Sequence, residues 1–291
     1  TFNGSISAEN AQNFIEDVIF SEPVESKYLA PQDAAITKNE DGNYVISSAP
    51  ATAEVTIGGA TYTYSTLAEA VAAVPAENAE PAVIKLIGSE EVIEGGGIIV
   101  DGNKNIVFDF NRKTYNVVGP TVGSPGTETN AFQLKMGSTV VMQNGKIDTT
   151  CAKIVLQKYC DLTLIDMDLD FSDRNTVQYV ISNNNATTII EGNTIIKAPD
   201  EQYAFDLYYW PSNGYDEIQV TFADNFKGEV SGAVGYGADA AGAATAGWQT
   251  NAALNFADGN NGTYNVTFDV TSGNAADANI LVEDGTFSAP V

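Results

Sequence analysis

Six phrases along the chain superpose as short strands, and this recurrence restricts the fold more than any other property of the sequence. They read KNIVFDFNRKTY from Lys104, STVVMQNGKID from Ser138, CDLTLIDMDLD from Cys160, ATTIIEGNTII from Ala186, DEIQVTFADNF from Asp216 and GTYNVTFDVTS from Gly262. Aligned, they give a first column of Ile106, Val140, Leu162, Thr188, Ile218 and Tyr264. A second column, two residues later, holds Phe108, Met142, Leu164, Ile190, Val220 and Val266. Side chains two positions apart on a strand share a face, so both columns belong to one side of each strand. Thr188 alone breaks the apolar pattern. A companion phrase precedes most copies: FQLK from Phe132, IVLQ from Ile154, YVIS from Tyr179, FDLY from Phe205 and ALNF from Ala253.

The starts of the six phrases are 34, 22, 26, 30 and 46 residues apart. The shortest interval is about one coil of a parallel β-helix, and the longer ones imply loops inserted at a corner. A single coil cannot bury its inward face, whereas stacking joins the inward residues into one core and pairs each strand with its neighbours. An antiparallel sandwich shows the same local alternation, but it need not repeat a two-phrase unit in register. The expected fold is therefore all-β, a right-handed parallel β-helix over residues 51–291. Residues 1–50 read as a separate N-terminal segment, with Asp41-Gly42 marking a hairpin. Gly58-Gly59 turns a second hairpin. A helix over about 66–74 caps the stack: Ser65 or Thr66 is placed to cap it, Glu69 completes a capping box, and Pro75 ends it.

Charge and missing residue types narrow the function. With 38 acidic and 13 basic residues the net charge is -25, which repels nucleic acid and anionic lipid. No apolar run reaches the roughly 20 residues of a membrane-spanning helix, so no membrane insertion is expected. Histidine is absent, which removes Ser-His-Asp and Cys-His nucleophiles and the usual zinc sites. The two cysteines, Cys151 and Cys160, are a disulfide only if they lie on adjacent turns.

The segment from about Ala53 to Gly119 carries a resemblance. TYTYSTLAEAVAAV, then AVIKLIG, then KNIVFDFNRKTYNVVG resembles the opening of right-handed β-helix domains of the pectate-lyase-like superfamily, as found in large repetitive bacterial cell-surface proteins. The resemblance implies a scaffold on the outside of a bacterial cell, and no catalytic residue transfers with it. A longer repeat agrees: Phe20-Ser21-Glu22-Pro23-Val24 returns as Phe287-Ser288-Ala289-Pro290-Val291, 267 residues on. The chain is accordingly read as one period of a tandem array, or a subunit joining head to tail, with residues 1–50 the end of a preceding unit.

Three stretches are candidate sites. Asp166, Asp168, Asp170 and Asp173, beside Arg174, alternate along a strand, a pattern that can bind Ca²⁺ or supply the paired carboxylates of a glycosidase. In so acidic a chain, a solvated outward face is the simpler reading. Tyr203, Tyr208, Trp210 and Tyr215 offer flat faces to sugar rings, against the simpler reading of rings packed beneath a loop. SGAVGYGADAAGAATAGWQ reads as a corner insertion anchored by Trp248. The sequons at Asn185, Asn261 and Asn265 carry little weight in a bacterial protein. The sequence thus predicts a structural or adhesive surface module, a rigid spacer or filament unit whose partners are further copies of itself. A carbohydrate-binding or polysaccharide-degrading protein is the rival, with glycans as its partner.

Overall fold

The computed structural model describes residues 18–30, 34–273 and 277–288. The phrases expected within residues 1–17 lie outside them, as do Ala289, Pro290 and Val291. Among the described residues, 23 strands join a single sheet dominated by parallel pairs.

The first described strands form two antiparallel hairpins. Ala34–Lys38 pairs with Tyr44–Pro50, and the turn is held by Asn39, whose Oδ1 accepts from the backbone N–H groups of Asp41 and Asn43. Ala53–Ile57 pairs with Ala60–Tyr64 through Gly58 and Gly59, both at positive φ as a two-residue hairpin turn requires. The helix Leu67–Ala73 follows. Thr66 Oγ1 accepts from the Glu69 backbone N–H at 3.2 Å, and Glu69 Oε2 accepts from the Thr66 backbone N–H at 3.1 Å, the reciprocal capping box. Its buried face, Leu67, Ala70 and Val71, lies against the strands Ala53–Ile57 and Ile98–Val100.

From Ala82 onward the parallel pairs fall into three ladders. The first runs through Ala82–Leu86, Asn105–Asp109, residues 139–143, residues 161–165, Ala186–Glu191, Ile218–Phe222, Ala252–Phe256 and Asn279–Val282. The second links Val92–Gly95, Thr114–Val117, the ends of Thr139–Thr149 and Asp161–Asp170, Ile195–Lys197, residues 229–231, residues 263–264 and Thr286–Phe287. The third joins Ile98–Val100, Asn130–Leu134, Ile154–Lys158, Tyr179–Asn183, Tyr203–Tyr209, residues 233–238 and residues 267–270.

Inward residues of successive strands meet in columns, so each strand completes the core of its neighbour. In the first ladder one column is Ala82, Ile106, Val140, Leu162, Thr188, Val220, Leu254 and Ile280. Val140 thus lies beside Leu162, as the sequence alignment requires. The third ladder contributes Phe132, Leu156, Ile181, Phe205 and Val234, all buried. Aromatic rings stack along the same direction: Phe222 on Phe256 with centroids 5.1 Å apart, and Tyr264 on Phe287 at 4.7 Å. The bends between the first and second ladders use left-handed residues in neighbouring layers: Asn144, Asp166 and Gly192, with φ of 59°, 52° and 63°. Asn, Asp and Gly tolerate that conformation best.

The late phrases depart from the sequence alignment. Val220 and Phe222, rather than Ile218 and Val220, continue the two columns, and the strand from Thr263 belongs to the second and third ladders. The phrase ALNF takes its vacated place in the first ladder. The cause is the Gly-rich stretch. Glu229–Ala238 is a strand, not an insertion, and its alternation is hidden because Gly235 lies where a Cβ would meet Asp206 Cβ at 3.0 Å. The insertion is confined to the segment after it, with the short helix Ala240–Ala243 and a buried Trp248 stacked between Tyr209 and Tyr236.

Candidate functional site

The outward face of the third ladder is the part of the surface built most like a binding site. Its central column, in strand register, is Ile99, Gln133, Gln157, Ser182, Asp206, Gly235 and Asp269. Neighbouring members are about 4.8 Å apart, the spacing of paired strands. Asn130 Nδ2 donates to Gln157 Oε1 at 2.6 Å, and the Asn183 backbone N–H donates to Asp206 Oδ1 at 2.7 Å. Burial drives the Asp206 carboxyl up to about 7, against the opposing pull of the Asn183 N–H and the Ser182 hydroxyl.

Loops raise this face into a groove. The chain after Tyr203–Tyr209 passes through the 3-10 turn Pro211–Asn213, and Asn185 Oδ1 accepts from the Asp216 backbone N–H at 2.9 Å to pin it. Tyr215 is thereby set beside Tyr159, with centroids 5.0 Å apart and planes tilted by 33°. Trp210 meets Tyr215 edge-on at 6.2 Å, and Tyr208 meets Trp210 at 5.9 Å, so these rings form one cluster, of which Tyr215 lines the groove. Gly123, Ser124 and Pro125 line the groove together with Tyr159, Tyr215, Ile99, Gln133, Lys135 and Met136. The groove is open to solvent and holds about 350 Å³. Burial pushes the Tyr159 phenol up to about 12 and that of Tyr215 upward as well, so both hydroxyls stay protonated.

Three of the four aromatic residues singled out from sequence therefore come together, and Tyr203 does not join them. Its ring lies on Tyr179 at 4.6 Å with planes 4° apart, and its hydroxyl donates to Asp269 at 2.6 Å. The sequence reading missed Tyr159 and Gln133. Both had a signal: Gln133 is the polar residue between the two apolar positions of FQLK, and Tyr159 follows IVLQK directly.

The acidic run is distributed rather than convergent. Asp166 is a corner residue whose Oδ1 accepts from the Asn193 backbone N–H at 2.8 Å. Asp168 pairs with Lys146 at 3.4 Å, its direct register partner, and Asp170 accepts from Ser172 and faces Lys197 at 3.9 Å. Asp173 pairs with Arg174, which also forks onto Asp148 at 2.9 and 2.7 Å. Among the described residues no group of three or more His, Cys, Asp or Glu side chains is arranged to hold a metal ion. The basic partners escaped the sequence because they come from neighbouring strands. Cys151 and Cys160 are free thiols, one exposed and one buried.

The C-terminal end of the ladders is the second distinctive surface. Among the described residues, Asn279–Val282 and Thr286–Phe287 are each paired on one side only. Val282 is 41% exposed, whereas its column neighbour Phe256 is 1% exposed. Phe268 and Val270 are likewise half-buried beside buried Val234 and Tyr236.

Fold and site together define an all-β protein with a parallel-rich sheet, a groove on one face and, among the described residues, end strands paired on one side only. No helix among the described residues is long and apolar enough to cross a membrane. No family model, curated protein or solved structure matches the chain.

Proposed function

We propose that this chain is a right-handed parallel β-helix that serves as a structural or adhesive module of a bacterial cell-surface protein, stacked end to end with further copies of itself. The observation that carries the reading is the edge at Asn279–Val282 and Thr286–Phe287, strands that among the described residues are paired on one side only and where core columns run out to partly exposed apolar side chains. Unpaired parallel edges of this kind are templates for another chain. The opposite end is different, being covered by a helix and two hairpins.

The repeated FS-x-P-V phrase supports a second copy as the occupant. After its first occurrence, at Phe20–Val24, the chain forms the turn Ser26–Tyr28 and the hairpin of Ala34–Lys38 with Tyr44–Pro50. We infer that the hairpin of Ala34–Lys38 with Tyr44–Pro50 in a second copy is the segment that lies across this edge.

Sedimentation of the chain from micromolar to millimolar concentration tests this. At an ionic strength that screens the charge of -25, mass rises with concentration, and Val282→Lys suppresses the rise. A strictly monomeric protein across that range, or a Val282→Lys variant that associates as well as the parent, contradicts the reading.

A further inference from the structure

We propose that Tyr179 and Tyr203 form an oxidative cross-linking site, at which a one-electron oxidant couples the two rings into dityrosine, a covalent staple between neighbouring strands of the third ladder. This is independent of end-to-end stacking, because it uses a side of the molecule and not its ends.

The strongest observation is that the two rings are already held against each other. Tyr179 and Tyr203 are direct register partners on the strands Tyr179–Asn183 and Tyr203–Tyr209. Their half-buried rings stack with centroids 4.6 Å apart and planes 4° apart, so the ortho carbons of one ring face the other ring. Gly235, on the next strand, leaves the room in which the Tyr203 ring lies: a Cβ there would stand 3.3 Å from Tyr203 Cε1 and 3.4 Å from Cδ1. Holding both reactants in contact turns an encounter between short-lived radicals into a step within one molecule. Tyr159 and Tyr215 also touch, at 5.0 Å, but their planes are tilted by 33° and Tyr215 is on a loop.

The second observation is a base at the phenol. The Tyr203 hydroxyl donates to Asp269 Oδ2 at 2.6 Å, and this bond, together with burial, pushes its pKa up to about 12. Burial pushes the Tyr179 phenol upward as well. Both rings are therefore protonated in neutral solution, and each must lose a proton along with its electron.

The step balances as follows in atoms and electrons. Each phenol gives one electron to the oxidant and one proton, that of Tyr203 through the Asp269 carboxylate and that of Tyr179 to water. The two radicals form one bond between an ortho carbon of each ring, and the rings splay about their Cβ–Cγ bonds as they join. The hydrogen on each joined carbon then moves as a proton to the oxygen of its ring, which restores two phenols. With hydrogen peroxide as the oxidant, acting through a peroxidase, the two electrons and two protons reduce one peroxide to two waters. The product closes a loop in the unfolded chain and so favours the folded state.

The test treats dilute protein with peroxidase and hydrogen peroxide, and follows dityrosine fluorescence and the intact mass. Trypsin cuts after Arg174, Lys197 and Lys227, so Tyr179 and Tyr203 fall on different peptides and mass spectrometry locates their link. The monomer loses two hydrogen atoms and those two peptides are joined. Tyr179→Phe and Tyr203→Phe keep the stacked rings, and with them the fold, yet each lowers the yield about tenfold. Asp269→Asn slows coupling about tenfold at neutral pH, and raising the pH restores the rate, a response that a purely structural role would not give. The assignment is overturned by no dityrosine under conditions that couple free N-acetyltyrosine amide, by links formed only between chains, or by a link mapped to Tyr159 and Tyr215 instead. Parent-level yield in Tyr203→Phe, or a parent-level rate in Asp269→Asn, overturns it equally.

Discussion

Thr188 is the polar residue in an otherwise apolar core column, and its replacement by valine is the sharpest probe of how the layers are tied together. Its hydroxyl, fully buried, donates to Asn183 Oδ1 at 2.6 Å, and Asn183 in turn donates through Nδ2 to the Asp206 backbone carbonyl at 2.8 Å. The pair connects the first ladder to the third through the interior. Thr188→Val keeps the shape but leaves a buried carbonyl oxygen without a partner, at about 1–3 kcal/mol. The added methyl returns about 0.8 kcal/mol. The net expectation is destabilisation by about 1–2 kcal/mol in urea unfolding followed by far-UV circular dichroism, with an unchanged m-value. Removing both polar partners in Thr188→Val/Asn183→Leu should recover much of that loss, giving a coupling of about 1–2 kcal/mol in the double-mutant cycle. A Thr188→Val protein as stable as its parent, or strictly additive effects, refutes the reasoning.

Other positions give independent checks. Asp206 has its pKa raised from 3.8 to about 7, so the folded chain holds a proton that the unfolded chain has released between those pH values. Its stabilising contribution is complete below about pH 4 and is lost as pH rises through about 7. Asp206→Asn should flatten that dependence and stabilise the folded chain at pH 8, where the desolvated carboxylate is otherwise charged. Gly228→Ala places a Cβ 1.7 Å from the Thr194 carbonyl oxygen, and thermal melts should show a loss of about 3 kcal/mol or failure to fold. Trp248→Ala removes the ring held between Tyr209 and Tyr236, and limited proteolysis should then cut first near Ala240–Ala243.

Much of the first ladder is written openly in the chain. Ile106, Val140 and Leu162, with Phe108, Met142 and Leu164, stand in register because full burial of one strand face leaves a plain period of two. The capping box and both hairpin turns are legible for a similar reason, since each depends on residues within a few positions of one another. Legibility fails where a strand is made of glycine. Gly235 and Gly237 keep room for Asp206 and Thr271 instead of filling a column, and without them the later phrases slip by two residues or into the wrong ladder. The groove was half visible: the rings of Tyr208, Trp210 and Tyr215 are adjacent in sequence, whereas Gln133 and Tyr159 arrive from earlier strands, and only register brings them in. The ion pairs Lys146–Asp168 and Arg174–Asp148 were hidden for the same reason.

Consecutive strand phrases stack in parallel register as layers of one sheet. Nuclear Overhauser contacts across the backbone test it most directly. Parallel-type Hα-to-HN contacts are expected to join Val140 and Met142 to Ile106 and Phe108 on one side and to Leu162 and Leu164 on the other. Strong Hα-to-Hα contacts between those strands, the mark of antiparallel pairing, would contradict it.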